Sequence, residues 1–286
     1  MKQLAECHIA VVGLGLMGGS IAAALCGRCR LVVGVARRPE TIDEAVDRGV
    51  IDRGSVDPAD VLPSADIVIL ATPVRTILNQ IRDFGPILRG DCLLMDLGST
   101  KETILSVMSD LPDGVQPLGG HPMCGKEQSG LGAIEASLYR GCTFILTPLE
   151  RTSAEALDLG RAVVEAIGAV PLVLEAVRQD RLVATLSHLP YLLACSLVQT
   201  ADATTSADPA AWEIVAGGYR DTSRVAGSDV SMMLDILITN RRAVLAAADV
   251  FRDKLSELTD LLEADDERGL RELLAASRVE RQRMFP

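Results

Sequence analysis

The stretch His8-Ile9-Ala10-Val11-Val12-Gly13-Leu14-Gly15-Leu16-Met17-Gly18 runs a short apolar segment straight into three glycines at G-x-G-x-x-G spacing. A helical pattern, Gly18 to Leu25, follows at once. Strand, glycine turn and helix in that order are what a dinucleotide-binding unit needs. The first glycine permits the tight turn and the second lets a pyrophosphate approach the backbone. The third lets helix and sheet pack closely, with the helix N-terminus facing the phosphates. A purely structural glycine turn is the competing reading, and the strand-turn-helix context weighs against it.

Working outward, Leu31 to Val35, Ile67 to Leu70, Cys92 to Asp96, Thr143 to Thr147 and Val170 to Leu174 read as further strands. Between them Thr41 to Arg48, Arg75 to Phe84, Thr100 to Leu111 and Ser153 to Ile167 repeat apolar residues at three and four positions, the spacing of amphipathic helices. Alternation of this kind predicts an α/β Rossmann-type doubly wound parallel sheet. Beyond Glu175 only helical patterns remain: Val177 to Ala201, Asp208 to Ala216, Val230 to Ala264 and Glu267 to Phe285. The expected organisation is a dinucleotide-binding domain, residues 1–174, followed by an all-helical C-terminal domain, residues 175–286.

Composition narrows the function. The 286 residues carry 28 Lys and Arg against 39 Asp and Glu, a net charge of −11 that repels nucleic acid and anionic membranes. No leader pattern opens the chain and no uninterrupted apolar run reaches the roughly 18 residues of a membrane span. Seven scattered cysteines in a chain of this size predict reduced thiols and a cytoplasmic protein. Dispersed cysteines and three histidines offer no metal cluster.

An NAD site usually places an acid at the end of the second strand for the ribose 2′-hydroxyl. Here that strand ends Val35-Ala36-Arg37-Arg38, with no carboxylate and two guanidinium groups suited to a 2′-phosphate. NADP is therefore expected over NAD. Histidine is the natural general base for removing a hydroxyl proton as hydride leaves an alcohol. His121, in Gly119-Gly120-His121-Pro122-Met123-Cys124-Gly125, is expected on a loop; His188, in Ser187-His188-Leu189-Pro190, falls inside a helical pattern.

Several motifs together resemble the prephenate and arogenate dehydrogenases of tyrosine biosynthesis. They are Gly13 to Ser20, Ala71-Thr72-Pro73-Val74, Asp96-Leu-Gly-Ser-Thr-Lys101, Gly120-His-Pro-Met-Cys-Gly125, Ser187-His-Leu-Pro190 and Gly217-Gly-Tyr-Arg-Asp-Thr-Ser-Arg224. The resemblance implies oxidative decarboxylation of prephenate to 4-hydroxyphenylpyruvate, or of arogenate to tyrosine, with hydride passing to NADP or NAD. It makes His121 the base that takes the ring hydroxyl proton, with Ser99 hydrogen-bonded to both. Arg224 becomes the residue that binds a substrate carboxylate, gated by Asp221 and Glu127, with Ser187, Tyr191 and Gly217 also at the substrate. Gly13, Gly15, Leu16, Met17, Gly18, Ala36, Arg37, Arg38, Thr41, Thr72 and Pro73 are the expected cofactor contacts. The helical domain of such proteins pairs two chains, so a homodimer is expected, and the apolar stretch Met232 to Ile238 reads as core or subunit interface.

Two signals conflict over the substrate. Glu127 tilts the reading toward prephenate, while Tyr191, standing where several prephenate enzymes carry a second histidine, and the acid-free strand end tilt it toward arogenate. A β-hydroxyacid-type dehydrogenase is an alternative, but it requires a lysine on the first helix of the second domain, and Val177 to Ala194 contains none. A catalytically inactive NADP-binding sensor is another; it does not account for Ser99, His121 and Arg224 together. The Cys26-Gly27-Arg28-Cys29 spacing sits where a helix should end and reads as structural.

Overall fold

The computed structural model describes residues 2–125 and 130–284. Among these, eight strands form one sheet: β1 His8–Val12, β2 Leu31–Val35, β3 Arg53–Ser55, β4 Ile67–Leu70, β5 Leu93–Asp96, β6 Gln116–Pro122, β7 Thr143–Pro148 and β8 Val170–Val173, in the order β3-β2-β1-β4-β5-β6-β7-β8. Pairing is parallel except between β6 and β7. The helices α1 Leu16–Leu25, α2 Pro39–Asp47, α3 Val74–Phe84, α4 Glu102–Met108 and α5 Ala154–Ala166 follow their strands as crossovers or flanking layers.

The central strands β1, β4 and β5 are apolar apart from His8 and Asp96 at their ends, because both faces are covered. Ile9 and Val11 join the cluster under α1 and α5, while Ala10 and Val12 join the one under α3 and α4. The rearrangement of strand order falls between β1 and β4, where the chain leaves β1 for α1 and β4 for α3. In an open α/β sheet that crevice is the natural ligand site.

Three expectations need correction. The segment carrying His121 is not a loop but strand β6, despite its two prolines and two glycines. It persists past the end of β5 because residues Leu118 to Pro122 pair with β7 on the other side, and the Asp96 carboxylate adds an acceptor for the Gly120 N–H at 3.2 Å on the side where β5 has ended. Asp208 to Ala216 is a run of turns instead of a helix; Pro209 lacks the N–H a helix would use. Val230 to Ala264 is not one helix but two, α9 Val230–Thr239 and α10 Arg241–Glu263, broken at Asn240 (φ −115°, ψ 25°).

Beyond β8 the structure is helical. Helix α6, Ala176–Val183, passes through a single π turn, Ala184–His188, into α7, Leu189–Thr205. This 30-residue rod is long and apolar enough to cross a membrane by length and composition, and 22% of its most apolar window is buried. Then come α8 Gly217–Ser223, α9, α10 and α11 Glu267–Met284. In the stretch Met232 to Ile238, Met233 and Ile236 are buried while Met232, Leu234 and Ile238 face outward. The two layers meet where Arg75 on α3 pairs with Asp235 on α9 and where Thr100 meets Thr239 at 2.9 Å.

Candidate active site

The glycine turn sits at the carboxyl end of β1. Gly13 has φ +96°, and a side chain there would meet the Ala71 carbonyl at 2.9 Å and Thr72 at 2.8 Å. A Cβ on Gly18 would overlap the Gly13 carbonyl. These two contacts place Ala71 and Thr72 directly beside the turn. Gly15, the N-cap of α1, is different: a Cβ there would meet nothing within 4 Å. The space in front of it is open and faces the N–H groups of Leu16, Met17 and Gly18, whose dipoles favour an anion. A dinucleotide pyrophosphate fits this cradle. Arg37 and Arg38 are exposed just beyond β2, with Arg38 capping α2 and Thr41 in its first turn. The residues that follow β2, Ala36-Arg37-Arg38, include no carboxylate.

Residues after 129 fasten onto the same helix. Tyr139 donates its hydroxyl to the Met17 carbonyl at 2.7 Å, and the Glu135 N–H donates to Ser20 Oγ at 3.0 Å. The returning chain therefore holds the first turns of α1 in place.

The carboxyl ends of β5 and β6 carry a buried polar cluster. Asp96 ends β5, fully buried, and forms an ion pair with fully buried Lys101. The Gly98 N–H also donates to it, at 2.7 Å. Burial raises the Asp96 carboxyl and lowers the Lys101 amine, while their mutual attraction opposes both shifts. Gly120 is glycine because a Cβ would strike the Asp96 carbonyl.

His121 follows on β6, 8% exposed. Its Nδ1 lies 3.2 Å from the side-chain amide of Gln179 on α6. Burial, then the Lys101 charge, pushes its pKa down to about 3, so the ring is neutral at physiological pH. Ser99, half-buried between β5 and α4, reaches the same network through its carbonyl, which accepts from Gln179 at 3.4 Å. Asp180, next on α6, accepts from the N–H groups of Lys101 and Glu102 at 2.7 and 2.9 Å and so caps α4.

His188, also buried, is pushed down to about 4. Its Nδ1 lies 3.2 Å from Asn240 Nδ2, which also donates to the Asp180 carbonyl at 2.8 Å. Tyr191 is half-buried on α7, and burial first, then Cys195, raises its phenol pKa, so it stays neutral. Ser187 is exposed in the π turn. Gly217 and Asp221 are exposed on α8, and Arg224 begins the short turn after it, packed against α7. Glu127 lies outside the described residues. His121 and the Ser99 carbonyl thus share Gln179 as a partner, while Ser187, Tyr191, Gly217, Asp221 and Arg224 lie along the π turn, α7, α8 and the turn after α8.

Gln179, Asp180 and Asn240 escaped sequence reasoning altogether. Asp96 and Lys101 were visible only as motif letters. A lysine five residues after an acidic strand end is the one signal that would have found that pair. Cys26 and Cys29 both have raised thiol pKa values, chiefly from burial, and donate to the Val50 and Leu25 carbonyls. Among the described residues no cluster of three or more His, Cys, Asp or Glu is placed to hold a metal ion.

Comparison with known proteins assigns this arrangement. A family model described as "Prephenate dehydrogenase, nucleotide-binding domain" matches residues 21–173, and "Prephenate dehydrogenase, dimerization domain" matches residues 175–276. The chain belongs to the prephenate dehydrogenase family. Within the prephenate dehydrogenases, the protein of Bacillus subtilis strain 168 is 30% identical over 274 residues, 94% of this chain and 74% of that one. The A. aeolicus prephenate dehydrogenase, solved with hydroxyphenyl propionate and NAD+, superposes with a TM-score of 0.91 at 32% identity, covering 99% of this chain and 100% of that one. The Synechocystis arogenate dehydrogenase gives 0.86 at 31% identity, covering 97% and 99%. A dehydrogenase with a nicotinamide cofactor is thereby established.

Proposed function

We propose that the chain oxidatively decarboxylates a cyclohexadienyl substrate, prephenate, arogenate or both, giving 4-hydroxyphenylpyruvate or tyrosine. The observation that carries this reading is a buried His121 near the carboxyl end of β6, in the same sheet as the dinucleotide turn after β1 and separated from it by β4 and β5. A bound nicotinamide supplies the acceptor for the hydride at ring carbon C4. His121 takes the C4 hydroxyl proton as the carbonyl forms. A protonated ketone is a strong acid, so even a base whose pKa burial has lowered can accept its proton. The ring carboxylate then leaves as CO2, its electron pair completes the aromatic ring, and His121 returns the proton to the phenolate oxygen.

Arg224, with Asp221, Ser187, Tyr191 and Gly217, is assigned to the substrate's carboxylate end, and Glu127 to the gate around Arg224. A guanidinium on a chain of net charge −11 supplies the local positive potential a dianion needs. Similar likeness to a prephenate and to an arogenate enzyme supports activity on either substrate. NADP is assigned over NAD on the exposed Arg37 and Arg38 and the acid-free end of β2. We assign residues 1–174 to cofactor binding and 175–286 to substrate binding and dimerisation, the outward apolar faces of α7 and α9 being covered by a second copy instead of a membrane. Seven free thiols support a cytoplasmic setting.

The deciding experiment is nicotinamide reduction by the purified chain with prephenate and with arogenate, each with NADP and NAD. His121→Asn should lower kcat by about 100- to 10,000-fold and leave cofactor affinity intact. Unchanged turnover in that variant would refute the base assignment; no turnover by the parent on either substrate would refute the reaction.

A further inference from the structure

A neutral imidazole accepts a proton only at the nitrogen that lacks one, and the partner of the other nitrogen decides which that is. At His121 the partner of Nδ1 is an amide, which can offer either an acceptor or a donor. The remaining contacts of Gln179 remove the ambiguity. Its far end faces two acceptors, Asp180 Oδ1 at 2.8 Å and the Ser99 carbonyl at 3.4 Å. Both Asp180 oxygens already face backbone N–H donors, from Lys101 and Glu102. Only the NH2 of Gln179 can point that way, so Oε1 points at His121, and Nδ1 must carry the hydrogen.

We propose that Gln179 is a positioning residue that locks His121 in the Nδ1–H tautomer and leaves Nε2 as the base toward substrate. Gln179 is fully buried and its helix is anchored from behind, since Asn240 holds the Asp180 carbonyl. Among the described residues the charged and titratable groups that bear on His121 are Lys101, paired with Asp96, and His188. None of these charges sits on Nδ1. A carboxylate there would orient the ring equally well but would hold a proton on it; the amide orients without trapping.

The inference rests on His121 as the base, and its test separates the two. Wild type, Gln179→Leu, Gln179→Glu and His121→Asn are compared by kcat, KM for prephenate or arogenate, pH profile and 15N NMR of histidine-labelled full-length protein, with His121→Asn assigning the resonance. Wild type should show the Nδ1–H form. Gln179→Leu should mix the tautomers and lower kcat by about 100-fold with KM within about threefold, since it degrades positioned general-base catalysis and not binding. Gln179→Glu should keep the tautomer and move the acid limb of kcat toward neutral pH. An Nε2–H signal in wild type would overturn the proposal, as would Gln179→Leu with parental kcat or Gln179→Glu with an unmoved acid limb. Should His121→Asn stay active, it is the base assignment that fails.

Discussion

Acid should unfold this protein in a way traceable to two rings. Both His121 and His188 have folded pKa values below the ordinary 6.5, about 3 and about 4, because burial penalises the cation. Below pH 6.5 the unfolded chain therefore binds protons that the folded chain refuses. Their stabilising effect is complete above 6.5 and is lost as the pH falls toward 4 for His188 and 3 for His121. Each pH unit well inside that window removes a little over ~1 kcal/mol per ring, so at pH 4.5 each costs about 2–3 kcal/mol and the pair about 5. That is a large part of the roughly 5–15 kcal/mol that a domain has to lose. Burial raises Asp96 and Asp180 and works in the opposite direction, so the histidine contribution is read as a difference. Urea titrations of the parent, His121→Asn and His188→Gln at pH 6.5 and 4.5 supply it. Each variant should lose about 2 kcal/mol less than the parent over that interval. Equal losses in parent and His121→Asn would mean that His121 is not held neutral in the fold, and the argument for a permanently available base would go with it.

Other outcomes follow from single contacts. Gly15→Val fills open space, so its melting temperature should match the parent while cofactor affinity falls at least about tenfold by fluorescence titration, the side chain standing where the phosphates approach; a parental affinity would place the phosphates elsewhere. Gly13→Ala, forced to φ +96° against the Ala71 carbonyl, should instead lose about 1–3 kcal/mol of stability in urea. Replacing Arg37 and Arg38 by Ala together should raise KM for NADP about 10- to 100-fold and leave KM for NAD within about threefold, a loss of one or two charge-assisted contacts; equal effects on both cofactors would refute the 2′-phosphate assignment. Lys101→Met strands a buried carboxylate and should cost about 3–5 kcal/mol in urea denaturation.

The legible parts of this fold were those whose physics is local. The β1–Gly13–α1 unit announces itself because a strand, a positive-φ turn and a helix N-terminus each demand particular residues within eleven positions. Strand β6 did not, because Pro117, Gly119, Gly120 and Pro122 contradict strand propensity, and what holds them is pairing with the distant strand β7 and, at Gly120, a carboxylate on β5. The break at Asn240 was hidden for the same reason: its side chain is engaged by Asp180 and His188, which are 60 and 52 residues away in the chain. His121 could be singled out by residue type, but Gln179 could not, since a glutamine on an amphipathic helix has no signature until its burial is known.

The π turn joins these distant parts, and its cause is written in the sequence. Pro190 in the first turn of α7 has no N–H to give to the carbonyl four residues earlier, and its ring would crowd that carbonyl in a regular helix. Widening the preceding turn, Ala184–His188, relieves both problems. It also changes phase. At the regular 3.6 residues per turn, positions 180 and 188 would stand about 80° apart around the helix. Yet the Asp180 carbonyl and His188 Nδ1 meet the same Asn240 nitrogen, so the widened turn has brought them to one side. Asn240 can then close the helix pair over α6, which fixes Asp180 against the N-terminus of α4 and Gln179 against His121. The proline of Ser187-His188-Leu189-Pro190 thus bears on the placement of Gln179 beside His121 through helix phase.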